Sequence, residues 1–173
     1  QVPGWVGYDP DWLNRAVRHF PGVGLLVGAL GAGVALAAQL LWSPVVAATL
    51  AVAATLWLTV AFHEDGLADT FDALLGAAPR EKALAIMKDS RIGSYGAAVL
   101  VLALVLRVLL LAELLAQGPL LAAAALVAAH AAGRALAVGL MVALPYAGDE
   151  AHAKAKPLAR AVRGRDAAWA VVT

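Results

Sequence analysis

The chain has 173 residues, 62% hydrophobic and only 14% charged, with a mean hydropathy of +0.80, whereas a soluble domain carries about 25% charged residues. Its apolar residues come in long unbroken blocks, which excludes an ordinary amphipathic core and points to membrane-spanning helices in a single membrane domain over 1–173. The absence of cysteine excludes disulfides and thiolate metal sites, and the net charge of +1 conceals charges sorted by loop, so a nucleic-acid partner is not expected.

Trp5, Tyr8 and Trp12 with Arg15 and Arg18 precede the first apolar block and read as an interfacial anchor. A charge-free span is expected at about 21–42, long enough to cross a bilayer, with Gly24 and Gly28 as a small-xxx-small packing face. Ser43-Pro44 turns the chain into a second span at about 45–62, which is expected to run on into the acidic stretch His63-Glu64-Asp65-Gly66-Leu67-Ala68-Asp69-Thr70-Phe71-Asp72. A polar excursion over 73–93 carries Arg80, Lys82, Lys88 and Arg91. Further spans follow at about 95–116, containing Arg107 and Glu113, and 120–144, containing His130 and Arg134, with Gln117-Gly118-Pro119 as the turn. After the polar 145–166 segment, a fifth apolar segment begins and the chain stops at Thr173. The expected architecture is an all-α polytopic helix bundle of four full spans plus the start of a fifth. The Gln1-Val2-Pro3 beginning and this ending are those expected of a piece of a longer protein.

Basic residues outside the spans fall on the N-terminal arm, the 63–93 region and the 145–166 segment, while the turns near Ser43 and Gly118 have none. The positive-inside rule puts these three basic regions, and the acidic stretch with them, in the cytoplasm.

Asp65, Asp69 and Asp72 are spaced i, i+4, i+7 and lie within about 60° of one another on a helix. Buried in lipid, each would cost about 2.5–3.5 kcal/mol, so the stripe is either wet or neutralised by a cation. A donor set of hard oxygens suits Mg²⁺ or Mn²⁺ better than Zn²⁺. Gly66, taken to lie in a turn, would allow close approach of a ligand. His63 and Glu64 lie roughly 200° and 100° from Asp65 on an ideal helix, so His63 joins the stripe only if the helix breaks at Gly66. It is either an interfacial hydrogen-bonding residue or a ligand or base.

Met87-Lys88-Asp89-Ser90-Arg91-Ile92-Gly93-Ser94-Tyr95-Gly96 opens the third span. Glycines and a Ser N-cap at a helix start offer backbone N–H groups to phosphate, and Lys88 and Arg91 add positive charge. The plainer alternative is a basic surface loop. Arg107 and Arg134, inside spans, either neutralise substrate or a carboxylate or pair between helices.

Together these motifs, His63-x-Asp65-Gly66-Leu67-Ala68-Asp69-Thr70-x-Asp72 and Ile86-Met87-Lys88-Asp89-Ser90-Arg91-Ile92-Gly93-x-x-Gly96, resemble the cobalamin synthase family of polytopic membrane enzymes, the adenosylcobinamide-GDP ribazoletransferases. The resemblance runs from the Val2-Pro3 arm through the four spans. It implies a Mg²⁺-dependent transfer in cobalamin biosynthesis. The hydroxyl of α-ribazole, or of its 5′-phosphate, attacks the cobinamide-side phosphorus of adenosylcobinamide-GDP and GMP leaves. It further implies Asp65, Asp69 and Asp72 as metal ligands and catalytic residues, with His63 or one of the aspartates as base. Substrate would be held by Lys88, Asp89, Ser90, Arg91, Gly93, Gly96 and Arg134. The expected setting is the inner membrane of the cell, with the lipid bilayer as partner and a homo-oligomer admitted. The chain departs from the family at Ala73, where the pattern usually has Gly. Family members also continue beyond this region, with further spans and a Gly-Asp motif. Two competing readings are a membrane phosphotransferase of the CDP-alcohol type, whose Asp-Gly-x-x-Ala-Arg pattern this chain does not match, and a divalent-cation transporter.

Overall fold

The computed structural model describes residues 16–76 and 79–144. A 3₁₀ turn (Val17–His19) leads into α1 (Phe20–Gln39), followed by α2 (Pro44–Leu58), α3 (Phe62–Leu75), α4 (Arg80–Ile86), α5 (Ser94–Gln117) and α6 (Pro119–Ala143). No strand occurs among the described residues, as the all-α expectation requires. Trp5, Tyr8, Trp12, Arg15, the 145–166 segment and the expected fifth span lie outside the described residues. The chain divides into two compact units, Ala29–Leu126 and Gln1–Gly28 with Val127–Thr173.

The core of the first unit is made largely of alanine. Ala35, Ala38, Ala47, Ala48, Ala51, Val52, Leu111, Ala112, Leu115 and Ala122 are buried together, from α1, α2, α5 and α6. Large residues point outward instead: Trp57 is 83% exposed, Leu102 62% and Leu110 62%. In water this inversion would forfeit most of the hydrophobic free energy. In lipid it is favourable, because tails solvate Leu and Trp while small residues let backbones approach closely. Gly31 belongs to the same pattern, since a Cβ there would stand 2.6 Å from Thr55 Cγ2. Buried polar groups are tied locally: Thr55 Oγ1 donates to the Val52 carbonyl at 3.0 Å and Gln39 Nε2 to the Leu115 carbonyl at 3.2 Å.

The second span does not run on into the acidic stretch. α2 stops at Leu58, and α3 leaves at 87° to it. Val60 (φ 54°) and Ala61 (φ 52°) are both left-handed at the break, a region costly for residues with a Cβ and most of all for a β-branched one. Hydrogen bonds hold the corner: the Ala61 N–H donates to the Leu56 carbonyl at 2.9 Å, and the Thr59 hydroxyl donates to the carbonyls of Thr55 (3.0 Å) and Leu56 (3.3 Å). Val60 is 85% exposed, so its side chain contributes little packing. Val60→Gly is therefore expected to stabilise the fold by about 1 kcal/mol, read as a raised thermal unfolding midpoint in detergent; a lowered midpoint would contradict it.

Among the described residues three segments are long and apolar enough to cross a membrane: Val17–Gln39, Ser94–Gln117 and Pro119–Ala143. α2 alone, at 15 residues, reaches about 22 Å, short of a hydrocarbon core of about 30 Å. Among the described residues a fourth span is reached when the bent α2–α3 pair counts as one.

α5 packs against both α2 and α3. In the second unit Val17 and Val138 are buried with Phe20 against them. Gly24 lies directly on the α6 backbone, where a Cβ would come 2.7 Å from Ala131 Cα. The expected packing role of Gly24 is thus a backbone-to-backbone contact that only glycine allows.

Candidate functional site

The α2–α3 break opens a cavity of about 440 Å³ lined by Glu64, Asp65, Ala68 and Asp69 of α3, by Ser90, Arg91 and Ile92 of the loop before α5, by Val60, Ala61 and Phe62 at the corner, and by Leu100. Two of the three striped acids therefore face one space with two of the expected phosphate-binding residues. α3 starts at Phe62, so Glu64 and Asp65 occupy its first turn, where the helix dipole favours negative charge. Gly66 is inside this helix and not in a turn; a Cβ there would meet nothing within 4 Å. The helix breaks before His63 and not at Gly66, so His63 stays off the stripe. It is exposed, edge-on to the Phe62 ring at 5.7 Å, and is not on the cavity wall.

Asp72 is also absent from the cavity wall. Its Oδ2 accepts the Gly93 N–H at 2.7 Å and its Oδ1 the Gly96 N–H at 2.8 Å. The start of α5 does bind an anion, as expected of a glycine-rich helix opening, but that anion is Asp72 itself. The Gly93 and Gly96 N–H groups expected for phosphate are accordingly occupied. The N-cap position is Gly93, not a serine.

Asp89 is engaged with Arg91. Arg91 Nη2 donates to Oδ2 at 2.6 Å, Nε lies 3.0 Å from both oxygens, and the Arg91 N–H reaches Oδ1 at 3.1 Å. The guanidinium bond, then the backbone bond, hold the Asp89 carboxyl below its ordinary 3.8, while Asp89 raises Arg91. A carboxyl lowered on folding contributes stability above its unfolded value and loses it as pH falls through the lower folded value. Between about pH 5 and 8 this pair is therefore expected to add no step to a pH–activity profile; a step in that window removed by Asp89→Asn would contradict this. Lys88 is exposed and off the cavity wall. Arg134 belongs to the other unit, where it donates to the His130 carbonyl at 3.0 Å.

Glu64, which sequence reasoning set aside, is buried. Its Oε1 accepts from Arg107 Nη1 at 2.6 Å, while Oε2 is buried with no hydrogen-bond partner. The signal for it was Arg107, a charge in an apolar helix that needs a partner.

Among the described residues no three His, Asp or Glu side chains gather into a metal-holding group. Besides the ion-paired Glu64, the cavity wall carries Asp65 and Asp69, with Ser90 beside them. An oxygen-rich set of this kind suits Mg²⁺, which commonly takes one or two carboxylates, water and substrate phosphate.

The cobalamin-5-phosphate synthase family profile matches residues 1–173. The chain belongs to this family. Among curated relatives, an adenosylcobinamide-GDP ribazoletransferase of Leptothrix cholodnii is 52% identical over 161 residues, covering 93% of this chain and 61% of the relative. Proteins of the same name from Albidiferax ferrireducens (49% identical, 92% and 59% covered) and Ralstonia nicotianae (50%, 99% and 66%) are similar to it as well. The chain thus spans about 60% of the length of the first two relatives, 61% and 59%. No solved structure gives a significant match. Membership in this family displaces the CDP-alcohol and transporter readings.

Proposed function

We propose that the chain is the site-bearing part of an adenosylcobinamide-GDP ribazoletransferase, set in the inner membrane with the α3 cavity facing the cytoplasm. The observation that carries this is the cavity at the α2–α3 corner, where Asp65 and Asp69 share a wall with Ser90 and Arg91. That combination suits a pyrophosphate: carboxylates for its cation, a guanidinium for its oxygens.

Mg²⁺, when bound, supplies charge that offsets the pyrophosphate and the departing GMP. Asp65 and Asp69 would hold it. Arg91 binds phosphate oxygens by exchanging Asp89 for substrate. Its side chain is 86% exposed, and an ion pair in that setting is worth little, so the exchange costs little. The ribazole hydroxyl then attacks the cobinamide-side phosphorus in line with the bridging oxygen. A new P–O bond forms, the bond to the GMP oxygen breaks with its electron pair, and the hydroxyl proton passes to a carboxylate on the wall. The apolar corner of Val60, Ala61 and Phe62 limits water, which would otherwise compete as the nucleophile.

The test is to reconstitute the full-length protein with adenosylcobinamide-GDP, α-ribazole and Mg²⁺. GMP and the cobalamin product are expected in equal amounts; their absence while the protein is folded would overturn the reading.

A further inference from the structure

A single side chain joins the acidic helix to the loop that carries Ser90 and Arg91. Asp72, near the end of α3, accepts the N–H groups of Gly93 and Gly96 at 2.7 and 2.8 Å. The seat is built for a carboxylate, and both glycines lie hard against it. A Cβ on either glycine would run into the Asp72 carboxylate, and at Gly96 it would also stand 2.7 Å from the Ala68 carbonyl oxygen. Ala68 is buried on the cavity wall, so the contact lies one helical turn from the site. The carboxylate also sits at the positive end of α5, a helix of 24 residues, and is stabilised there without a cation.

We infer that Asp72 is a positioning residue that takes no part in cation binding. Its carboxylate fastens the Ser90–Ile92 segment to α3, and so sets the spacing between Arg91 and the Asp65–Asp69 pair. The inference rests on the phosphate-transfer reading for its kinetic consequence, but not for its structural one. The stripe of three acids is divided by function: Asp65 and Asp69 serve the cavity, and the third acid builds it.

The test compares Asp72→Asn, Gly96→Ala, their double variant and Asp65→Asn in the full-length protein. Trypsin cleavage after Lys88 and Arg91 is expected to speed up about ten-fold in Asp72→Asn and Gly96→Ala and to stay unchanged in Asp65→Asn. KM for adenosylcobinamide-GDP should rise about ten-fold in the first two, with Mg²⁺ half-saturation within about two-fold of wild type. The double variant should be no worse than the singles, because both break one contact. A rise in Mg²⁺ half-saturation for Asp72→Asn matching that of Asp65→Asn, or unchanged trypsin cleavage, would overturn the inference. Should Asp72→Asn fail to fold, Asp72→Glu serves instead. It keeps a carboxylate for a cation but moves it by a methylene relative to the Gly93 and Gly96 N–H groups, so wild-type protection and KM would overturn the inference. The trypsin arm reads the clamp even in a protein that releases no GMP, which separates failure of this inference from failure of the functional reading.

Discussion

Asp65→Asn and Asp69→Asn are each expected to lower GMP release by about a hundred-fold or more, the exposed Asp65 with no loss of thermal stability. Asn keeps the shape and one oxygen but removes the charge that holds a hard cation. Asp65 is exposed and Asp69 half-buried, and both line the cavity. As like charges one turn apart on α3, they repel by about 0.2–0.5 kcal/mol, so neutralising Asp65 is neutral or mildly stabilising when no metal is present. For Asp65→Asn the informative result is this combination: activity lost, unfolding midpoint held or raised, and Mg²⁺ half-saturation shifted upward. Near-wild-type turnover in both variants would remove the two acids from the chemistry.

Arg107→Leu is expected to cost about 2–4 kcal/mol, the upper part of the range for single substitutions. Arg107 Nη1 and Glu64 Oε1 are 2.6 Å apart, with side-chain exposures of 37% and 11%. Removing the guanidinium leaves a carboxylate buried between α3 and α5 with its other oxygen already unpartnered, the costly half of a broken pair. The double variant Glu64→Leu/Arg107→Leu should recover most of the loss, because no isolated charge remains. Thermal unfolding of the full-length protein in detergent reads both. A single variant as stable as wild type would mean that the pair does not hold α3 to α5. Because Glu64 also lines the cavity, the single variant should lower activity in parallel with stability.

Much of the architecture was legible in one dimension. Apolar blocks long enough to cross a bilayer predict spans, and the described helices at Phe20–Gln39, Ser94–Gln117 and Pro119–Ala143 lie within a few residues of the expected 21–42, 95–116 and 120–144. That agreement is physical: lipid leaves the backbone no partner but itself, so an apolar run of sufficient length is helical. The α2–α3 corner was not legible. Val60 and Ala61 are ordinary helix-compatible residues by type, and nothing local announces a left-handed pair. The corner is held by Thr59 and by backbone bonds that form only once the chain has turned.

The candidate site divides in the same way. Spacing alone put Asp65, Asp69 and Asp72 on one face, and they are on one helix. Spacing is local, however, and what each acid meets comes from residues more than twenty positions away. Asp72 meets Gly93 and Gly96, Glu64 meets Arg107, and Asp65 and Asp69 share a cavity with Ser90 and Arg91. The sequence by itself determined that this is a helical membrane protein with an acidic helix and a glycine-rich, basic loop, because hydropathy and helical period act over a few neighbouring residues. Only the tertiary structure decided which acids face the cavity and which one closes it. A carboxylate goes to whatever donors the packing brings within 3 Å, and at Asp72 those are the N–H groups at the start of α5.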